Sequence, residues 1–580
     1  MQPPERDPIA LARRLRPPTD IVSAARRGPA DAHAEGEKQL FFVIDPVERS
    51  VHTITSTLAV ISENAYWYAD DALNLSHEDL QKAAEAFEGD VRPLMLELFG
   101  DVPSPGIDGD PHLAVLNTDL NGIAGYFGSQ DLYPRAVHPL SNEREMFYMD
   151  AVILVPGSAD YMSVLVHELQ HAIHSAADLG EDSWVNEGLS EVAKDLAGGE
   201  PSFVDAFLRQ PDTQLNRWPS GLRNTARHYG AATLFMEYLF HHYGGPGALR
   251  RLIEEPLDGV EGVAAFLRPL GTTFENVFRD WVVANYLDAA EGPFGYGGKG
   301  HRIAKVDLTT DYGAREKVQS QLSALYTVVR LKEGDALLRF EGETEVRRFG
   351  TDCHSGGRCW WGNRGDSIDS TLTRAFDLSN LDAATLRFWT WFDIEEEWDY
   401  AYVEASGDGG RTWNILETEH SSETNPLGNS YGPGFTGASG DWFLEIADLT
   451  PYTGGEVLVR FEYVTDDVVH LDGFTIDDIE VPELGFFDDA ESDLGWELRG
   501  FLRTDNTLAQ RFLVQLIERS AGKDDVVRQM VLDDRNTGTL RVDGFGVDIT
   551  NAVVIVSPFT YNTGRPARYS LSVEPAIPSE

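Results

Sequence analysis

The chain has 580 residues, too many for one core at about 100–200 residues per domain, and its 42% hydrophobic and 24% charged content excludes wholesale disorder. It holds 47 basic and 95 acidic residues, a formal charge of −48, which repels phosphate backbones and excludes a general nucleic-acid binder. No run of 18 apolar residues occurs, so no membrane-spanning helix is expected.

Residues 1–37 are rich in Arg, Pro and Ala and read as a linker or propeptide remnant. They lack the apolar core of a signal peptide, so the literal expectation is a cytoplasmic protein. The alternative is a mature form whose signal has been removed. From Gln39 the pattern is globular. LFFVIDP and TITSTLAVISENAYWYAD are strand-like, residues 80–100 carry apolar positions at helical spacing, and 110–127 read as strands around a turn. AVILVP (151–156) reads as a short buried strand. Helices follow at roughly 160–178, 184–197, 225–243, 246–255 and 274–288. The Gly-rich stretch 292–300 marks a domain boundary, giving a first domain at 38–291.

Beyond residue 300 alternating strands and turns dominate. Residues 301–349 are too short for a sandwich of their own, and 510–580 supply strands without partners. The expectation is one sandwich built from both pieces, with 350–509 inserted as a jelly roll. Residues 351–500 carry 32 acidic residues, seven Arg and no Lys, a net −25, together with 8 of the 12 Trp. A solvated face and an oxygen-ligand cation such as calcium are both compatible with that density. Cys353 and Cys359 suit one loop-closing disulfide in a secreted protein; a metal site using His354 lacks further evident ligands.

The most specific signal is His167-Glu168-Leu169-Gln170-His171. Four residues apart on a helix, the two histidines share a face and reach one zinc ion. After fifteen intervening residues comes Glu187, in Trp184-Val185-Asn186-Glu187-Gly188-Leu189-Ser190-Glu191. A helix–turn–helix of this length returns a carboxylate to the metal. Two imidazoles, one carboxylate and an open position make a catalytic zinc site. Glu187 is assigned to the metal and Glu191 to a hydrogen bond with His167 behind it. Glu168 is placed as general base and acid. His174, one turn on, is expected to be solvated.

These residues resemble the gluzincin group of zinc metallopeptidases, and HELQH with WVNEGLSE look most like the hyicolysin-type peptidases. The resemblance implies a zinc-dependent enzyme acting on protein or peptide substrates. Tyr229, in Arg227-His228-Tyr229-Gly230-Ala231-Ala232, resembles the Tyr at the helix start of zinc aminopeptidases. It is the first candidate for an oxyanion donor, with His228 second. Phe392-Asp393-Ile394-Glu395, the run from Trp398 to Trp413, Arg460–Asp466 and Ile476–Ile479 are similar to the β-domain of immune inhibitor A peptidases. That family implies secretion and calcium, with Glu395, Asp399, Asp477 and Asp478 as candidate ligands.

The expected fold is therefore multidomain: an α+β zincin-like catalytic domain followed by all-β sandwich and jelly-roll domains. The expected activity is that of a secreted, monomeric endopeptidase. Two rivals stand beside it. One is an adhesion or glycan-binding protein on an inactive peptidase scaffold, motivated by Trp360, Trp361, Trp389, Trp391 and Trp398. The other is an aminopeptidase, for which no GxMEN-like segment occurs.

Overall fold

The computed structural model describes residues 2–16, 33–221 and 224–576. The chain is multidomain, with a helical region in its N-terminal half and strands throughout its C-terminal half.

A six-stranded sheet organises the first part. Its strands are β1 (Lys38–Asp45), β2 (Ser50–Ile61), β3 (Ala65–Asp70), β4 (Leu113–Thr118), β5 (Gly125–Phe127) and β6 (Met146–Asp150), in spatial order β1-β2-β3-β4-β6-β5. The inner strands β3, β4 and β6 are parallel, and the short edge strand β5 runs antiparallel to β6. Every residue of β4 and β6 is buried, as expected of strands covered on both faces. On one face Val115, Phe147 and Met149 pack against helices. On the other, Leu116 and Tyr148 join Phe41, Val43 and Leu58 in a separate cluster.

AVILVP is not a strand. The strand lies just upstream, at Met146–Asp150, and its last residue breaks it. The buried Asp150 carboxylate accepts the backbone N–H groups of Val152 (2.8 Å) and Ile153 (3.1 Å), turning the chain outward. Val152, Ile153 and Val155 are consequently more than half exposed.

Three helices frame the cleft: Ala159–Ala177, Ser183–Leu196 and Thr225–Tyr243. The helix Phe274–Leu287 closes this core, and two short helices, Val204–Arg209 and Gly259–Leu267, were not legible in the periodicity.

Strands from 307–342 and from 512–575 pair with each other in one nine-stranded system. Gly334–Gly342 lies between Thr537–Phe545 and Ala567–Pro575, and Leu325–Val329 pairs with Ile549–Pro558. Leu338, Phe340, Val514, Val554 and Leu571 fill one face. Ile517, Val553 and Ile555 pack from the other face onto the helical core with Phe278 and Trp281. Between the two pieces, a six-stranded and a five-stranded sheet face each other. One contains Thr385–Asp393 and Gly473–Val481; the other contains Asp369–Asp377, Tyr400–Ser406 and Glu456–Val464. Leu372, Leu386, Phe388, Val403, Phe461 and Ile476 form the shared core.

Residues 2–16 differ from the linker expectation. They hold a helix, Pro8–Leu15, capped by Asp7, whose carboxylate accepts from Ile9 and Ala10 N–H at 3.0 Å each. Its Leu11 and Ala12 are fully buried. Residues 17–32 of that expectation lie outside the described residues.

Candidate metal centre

The helix Ala159–Ala177 begins at Ser158, whose hydroxyl accepts the Tyr161 N–H. Its apolar stripe, Tyr161, Leu165, Val166, Leu169, Ala172 and Ile173, is buried. Tyr161 fixes its height on the sheet by donating to Asn117 Oδ1 on β4 (2.7 Å), and Asn117 in turn donates to Tyr68 O on β3. His167 and His171 project together, with ring centroids 4.6 Å apart.

The next helix, Ser183–Leu196, brings Glu187 onto them. Glu187 Oε2 lies 3.1 Å from His167 Nε2 and 3.6 Å from His171 Nε2. One donor atom from each of the three residues falls within 4.8 Å of the others. This donor set, two imidazole nitrogens and one carboxylate, matches zinc chemistry. The outward nitrogens are also prepared for it. His171 Nδ1–H donates to Asn186 Oδ1 (2.9 Å), which leaves Nε2 as the lone-pair nitrogen. His167 Nδ1 lies 3.2 Å from Glu191 Oε1. Glu191 is itself held by Lys194 Nζ (2.9 Å) and by the Ser202 N–H.

Close packing makes this convergence possible. A Cβ on Gly188 would stand 2.7 Å from Met236 Cγ and 2.8 Å from Ala232 O on the helix Thr225–Tyr243. Only a glycine lets these helices approach so closely. That third helix carries Tyr229, whose hydroxyl donates to Glu187 Oε1 (3.1 Å) and whose ring packs on Phe203 and Trp218.

Electrostatics follow from burial among carboxylates. Burial would lower the His167 pKa, but hydrogen bonds to Glu187 and Glu191 push it up to about 10 in the metal-free site. Burial would raise Glu187, yet His171 and His167 hold it below the ordinary carboxylate range. Glu191 falls to about 2, burial again being outweighed, here by His167 and Lys194. Glu168 goes the other way: burial raises it, and no imidazole pairs with it closely enough to reverse that.

Glu168 lies beside the edge strand β5. A Cβ on Gly125 would meet Val164 Cγ1 at 2.8 Å and Glu168 Oε1 at 3.3 Å. The edge strand β5 therefore borders Glu168.

Two expectations need correction. His174 is not solvated; it is fully buried, and burial lowers its pKa to about 3. His228 does not join the group. It is buried against Trp218, with burial lowering its pKa to about 4.

The β-domain reaches the centre through an element the motif did not reveal. Asp366 Oδ2 accepts both the backbone N–H (2.8 Å) and the hydroxyl (2.5 Å) of Ser183, the first residue of the glutamate helix. Asp366 Oδ1 is paired with His470 Nδ1 at 2.7 Å. A carboxylate from another domain thus caps the helix that carries Glu187 and complements its dipole. Asp182, Asp366 and His470 form a second group of donors within 4.8 Å.

The four calcium candidates fall in two places. Glu395 and Asp399 meet Asp466: Asp399 accepts the Asp466 N–H at 2.9 Å. Burial and the neighbouring carboxylates raise Glu395 to about 11, and burial raises Asp399 to about 8. Asp477 and Asp478 instead hold the loop closed by the Cys353–Cys359 disulfide, through Ser355 N, Ser355 Oγ and His354 Nδ1.

Residues 343–506 match the family model of the immune inhibitor A-like MAM domain. The chain is 28% identical over 147 residues to the pre-pro-metalloprotease PrtV of Vibrio cholerae, covering 25% of this chain and 15% of that protein. It is 31% identical over 156 residues to immune inhibitor A of Bacillus thuringiensis subsp. alesti, covering 26% and 22%. A shorter match, 28% over 94 residues, covers 16% of this chain and 5% of bacillopeptidase F of Bacillus subtilis. The matches thus span less than a quarter of each relative. Among the described residues no helix is long and apolar enough to cross a membrane. The chain therefore carries an immune inhibitor A-like MAM domain and has relatives that include a metalloprotease.

Proposed function

We propose that this chain is a secreted zinc-dependent endopeptidase of the gluzincin type, with a zincin-like catalytic domain at 38–291. The observation that carries this reading is the convergence of His167, His171 and Glu187 beside Glu168 and a free strand edge. A zinc ion held by those three residues supplies Lewis acidity. The chain's own groups do the rest. An extended substrate pairs with the free side of β5, which sets its backbone along the cleft. Glu168, whose pKa burial raises above the ordinary carboxylate value, takes a proton from the attacking water and delivers it to the leaving amine. Tyr229 stays protonated, since burial and Glu187 raise its pKa, and its hydroxyl donates to the developing oxyanion. Glu191 and Asn186 keep the two imidazoles oriented.

Calcium is proposed at Glu395, Asp399 and Asp466, where oxygen donors face one another. Secretion is proposed from the disulfide and the named relatives. The glycan-binding reading loses support because Trp360, Trp361 and Trp391 are buried in the core. Metal analysis with digestion of casein or a peptide library tests the proposal. Zinc near one per chain and internal cleavages are expected. A wild-type protein loaded with zinc and calcium that cleaves nothing would end the enzyme reading, and release of single N-terminal residues would replace it with an aminopeptidase.

A further inference from the structure

The N-terminal segment supplies something the acidic domain lacks. On the outer face of the sheet formed by Asp369–Asp377, Tyr400–Ser406 and Glu456–Val464, three carboxylates converge: Asp369, Glu404 and Glu462. Glu404 and Glu462 are fully buried. Neither oxygen of Glu404, nor Oδ1 of Asp369, accepts from an N–H or hydroxyl donor among the described residues, and both carboxyls face Glu462. The sheet's own cation, Arg460, is turned aside, stacked on Trp413 at 3.9 Å and donating to Thr373. Burial and the neighbouring Glu462 raise Asp369 and Glu404, and buried carboxylates gathered this way call for a shared proton or a cation.

Arg14 enters that pocket. Its Nη1 and Nη2 donate to the two oxygens of Glu462 at 2.7 and 2.6 Å, and it lies 3.5 Å from Glu404 and 3.6 Å from Asp369. A planar guanidinium fits such a bidentate pocket where an ammonium would not. Beside it, Leu11 packs with Tyr400, Tyr402 and Val464. Further along, Arg6 is placed so that Asp466 and Asp467 raise its pKa against its burial. The remaining contacts are those of a bound peptide. There is one isolated bridge, Glu5 to Ile368, and there are backbone hydrogen bonds from Arg6 N to Ser367 O, from Asp369 N to Pro4 O and from Trp413 N to Arg14 O, with Arg16 donating to Gly428 O. Gln2 also donates to Asp258 O of the helical domain at 3.1 Å, so the segment spans both domains.

We propose that this outer face is a binding site for an arginine-bearing amphipathic helix, and that residues 2–16 are its resident, exchangeable occupant. The site is separate from the proposed zinc centre, so it stands whether or not the chain is a peptidase. Its recognition elements are an apolar floor (Tyr400, Tyr402, Val464) and a guanidinium pocket (Glu404, Glu462, Asp369). In cis, the segment clamps the acidic domain to the helical one.

The test uses the full chain with a site-specific protease sequence placed between residues 17 and 32 and cut after folding. A fluorescent synthetic peptide of residues 2–16 is then added, and the native segment is followed by mass spectrometry. Displacement of the native segment and saturable binding of the peptide are expected. Peptides with Arg14→Ala or Leu11→Asp should bind at least ~10-fold more weakly, since the first leaves Glu462 unpaired and the second buries a charge against Tyr400, Tyr402 and Val464. Glu462→Gln in the full chain should weaken the parent peptide similarly, with circular dichroism showing that the sheet is retained. Three results overturn the proposal. The native segment fails to exchange; the peptide shows no saturable binding up to about 1 mM; or the Arg14→Ala peptide binds as well as the parent. A dimer in which segments pass between copies overturns the assignment in cis.

Discussion

Around His167 and His171, two carboxylates face a base: Glu187 and Glu191 sit against imidazoles and are held below the ordinary carboxylate range. Around Asp399 the carboxylates face each other, and Glu395, Asp399 and Asp466 are all raised. Both clusters are acidic, and composition alone does not separate them. What separates them is where the compensating charge comes from. The helical site carries nitrogen donors and a lysine, Lys194, within its own two helices. The β-domain holds Glu395, Asp399 and Asp466 at the ends of strands, in a stretch that contains 7 Arg and no Lys between residues 351 and 500. It therefore borrows positive charge, from Arg6 and Arg14 of the N-terminal segment and, in the proposed function, from calcium. The first cluster is balanced within its own two helices; the second draws on charge supplied from elsewhere.

The sharpest way to break this contrast is to disable the first cluster chemically while leaving its metal. Glu168→Gln should keep zinc, measured by elemental analysis, and lower peptide hydrolysis by about 10²–10⁴-fold. If hydrolysis persists, Glu168 is not the proton carrier. Glu187→Ala should lose tight zinc binding, by more than ~100-fold in a chelator competition. Glu191→Ala should weaken it by about 10–100-fold, as expected for a residue acting through a ligand. The reverse ranking would exchange the two roles.

The two clusters should also respond oppositely to pH in metal-free protein. Glu191 is lowered from 4.5 to about 2, so its stabilising contribution is present above pH 4.5 and is lost as pH falls toward 2. Asp399 is raised from 3.8 to about 8, so the folded state binds the extra proton. Its contribution is favourable at low pH and is lost as pH rises from about 4 to 8. Calcium should remove the second slope and leave the first. If EDTA lowers the melting temperature and zinc alone restores it fully, the calcium proposal fails.

Smaller effects probe the joint between the clusters. Asp366→Ala removes the cap on Ser183 and should cost about 1–2 kcal/mol in urea unfolding, with weaker zinc retention. An unchanged zinc off-rate would show that the β-domain does not position Glu187. Gly188→Ala should cost about 1–3 kcal/mol, because its Cβ collides with Met236 and the Ala232 carbonyl.

Some of this was legible in the sequence for plain reasons. The i, i+4 spacing of His167 and His171 on a periodic apolar helix fixes a shared face whatever surrounds it. Alternating strands after residue 300 likewise announce themselves locally. His174 misled because one helical turn says nothing about which neighbour covers it; the Ser183–Leu196 helix supplies Asn186 beside it, and Gln170 of its own helix lies 3.5 Å away. AVILVP misled because an apolar run bounded by Asp150 and Gly157 suits a strand as well as an exposed turn, and the Asp150 carboxylate decided for the turn. Asp366 was invisible as a cap because 183 residues separate it from Ser183.

By itself, the sequence determined the chemistry available: two imidazoles and a base on one helix face, a carboxylate one helix later, and an acid-rich β segment. Those features depend on local spacing and composition. Only the tertiary structure decided which charges meet. It closed the helices through Gly188, turned His228 away, split the calcium candidates, and folded an arginine-bearing N-terminal helix onto the acidic sheet. These depend on contacts between distant segments, where burial makes each pairing strong and sequence spacing carries no record of it.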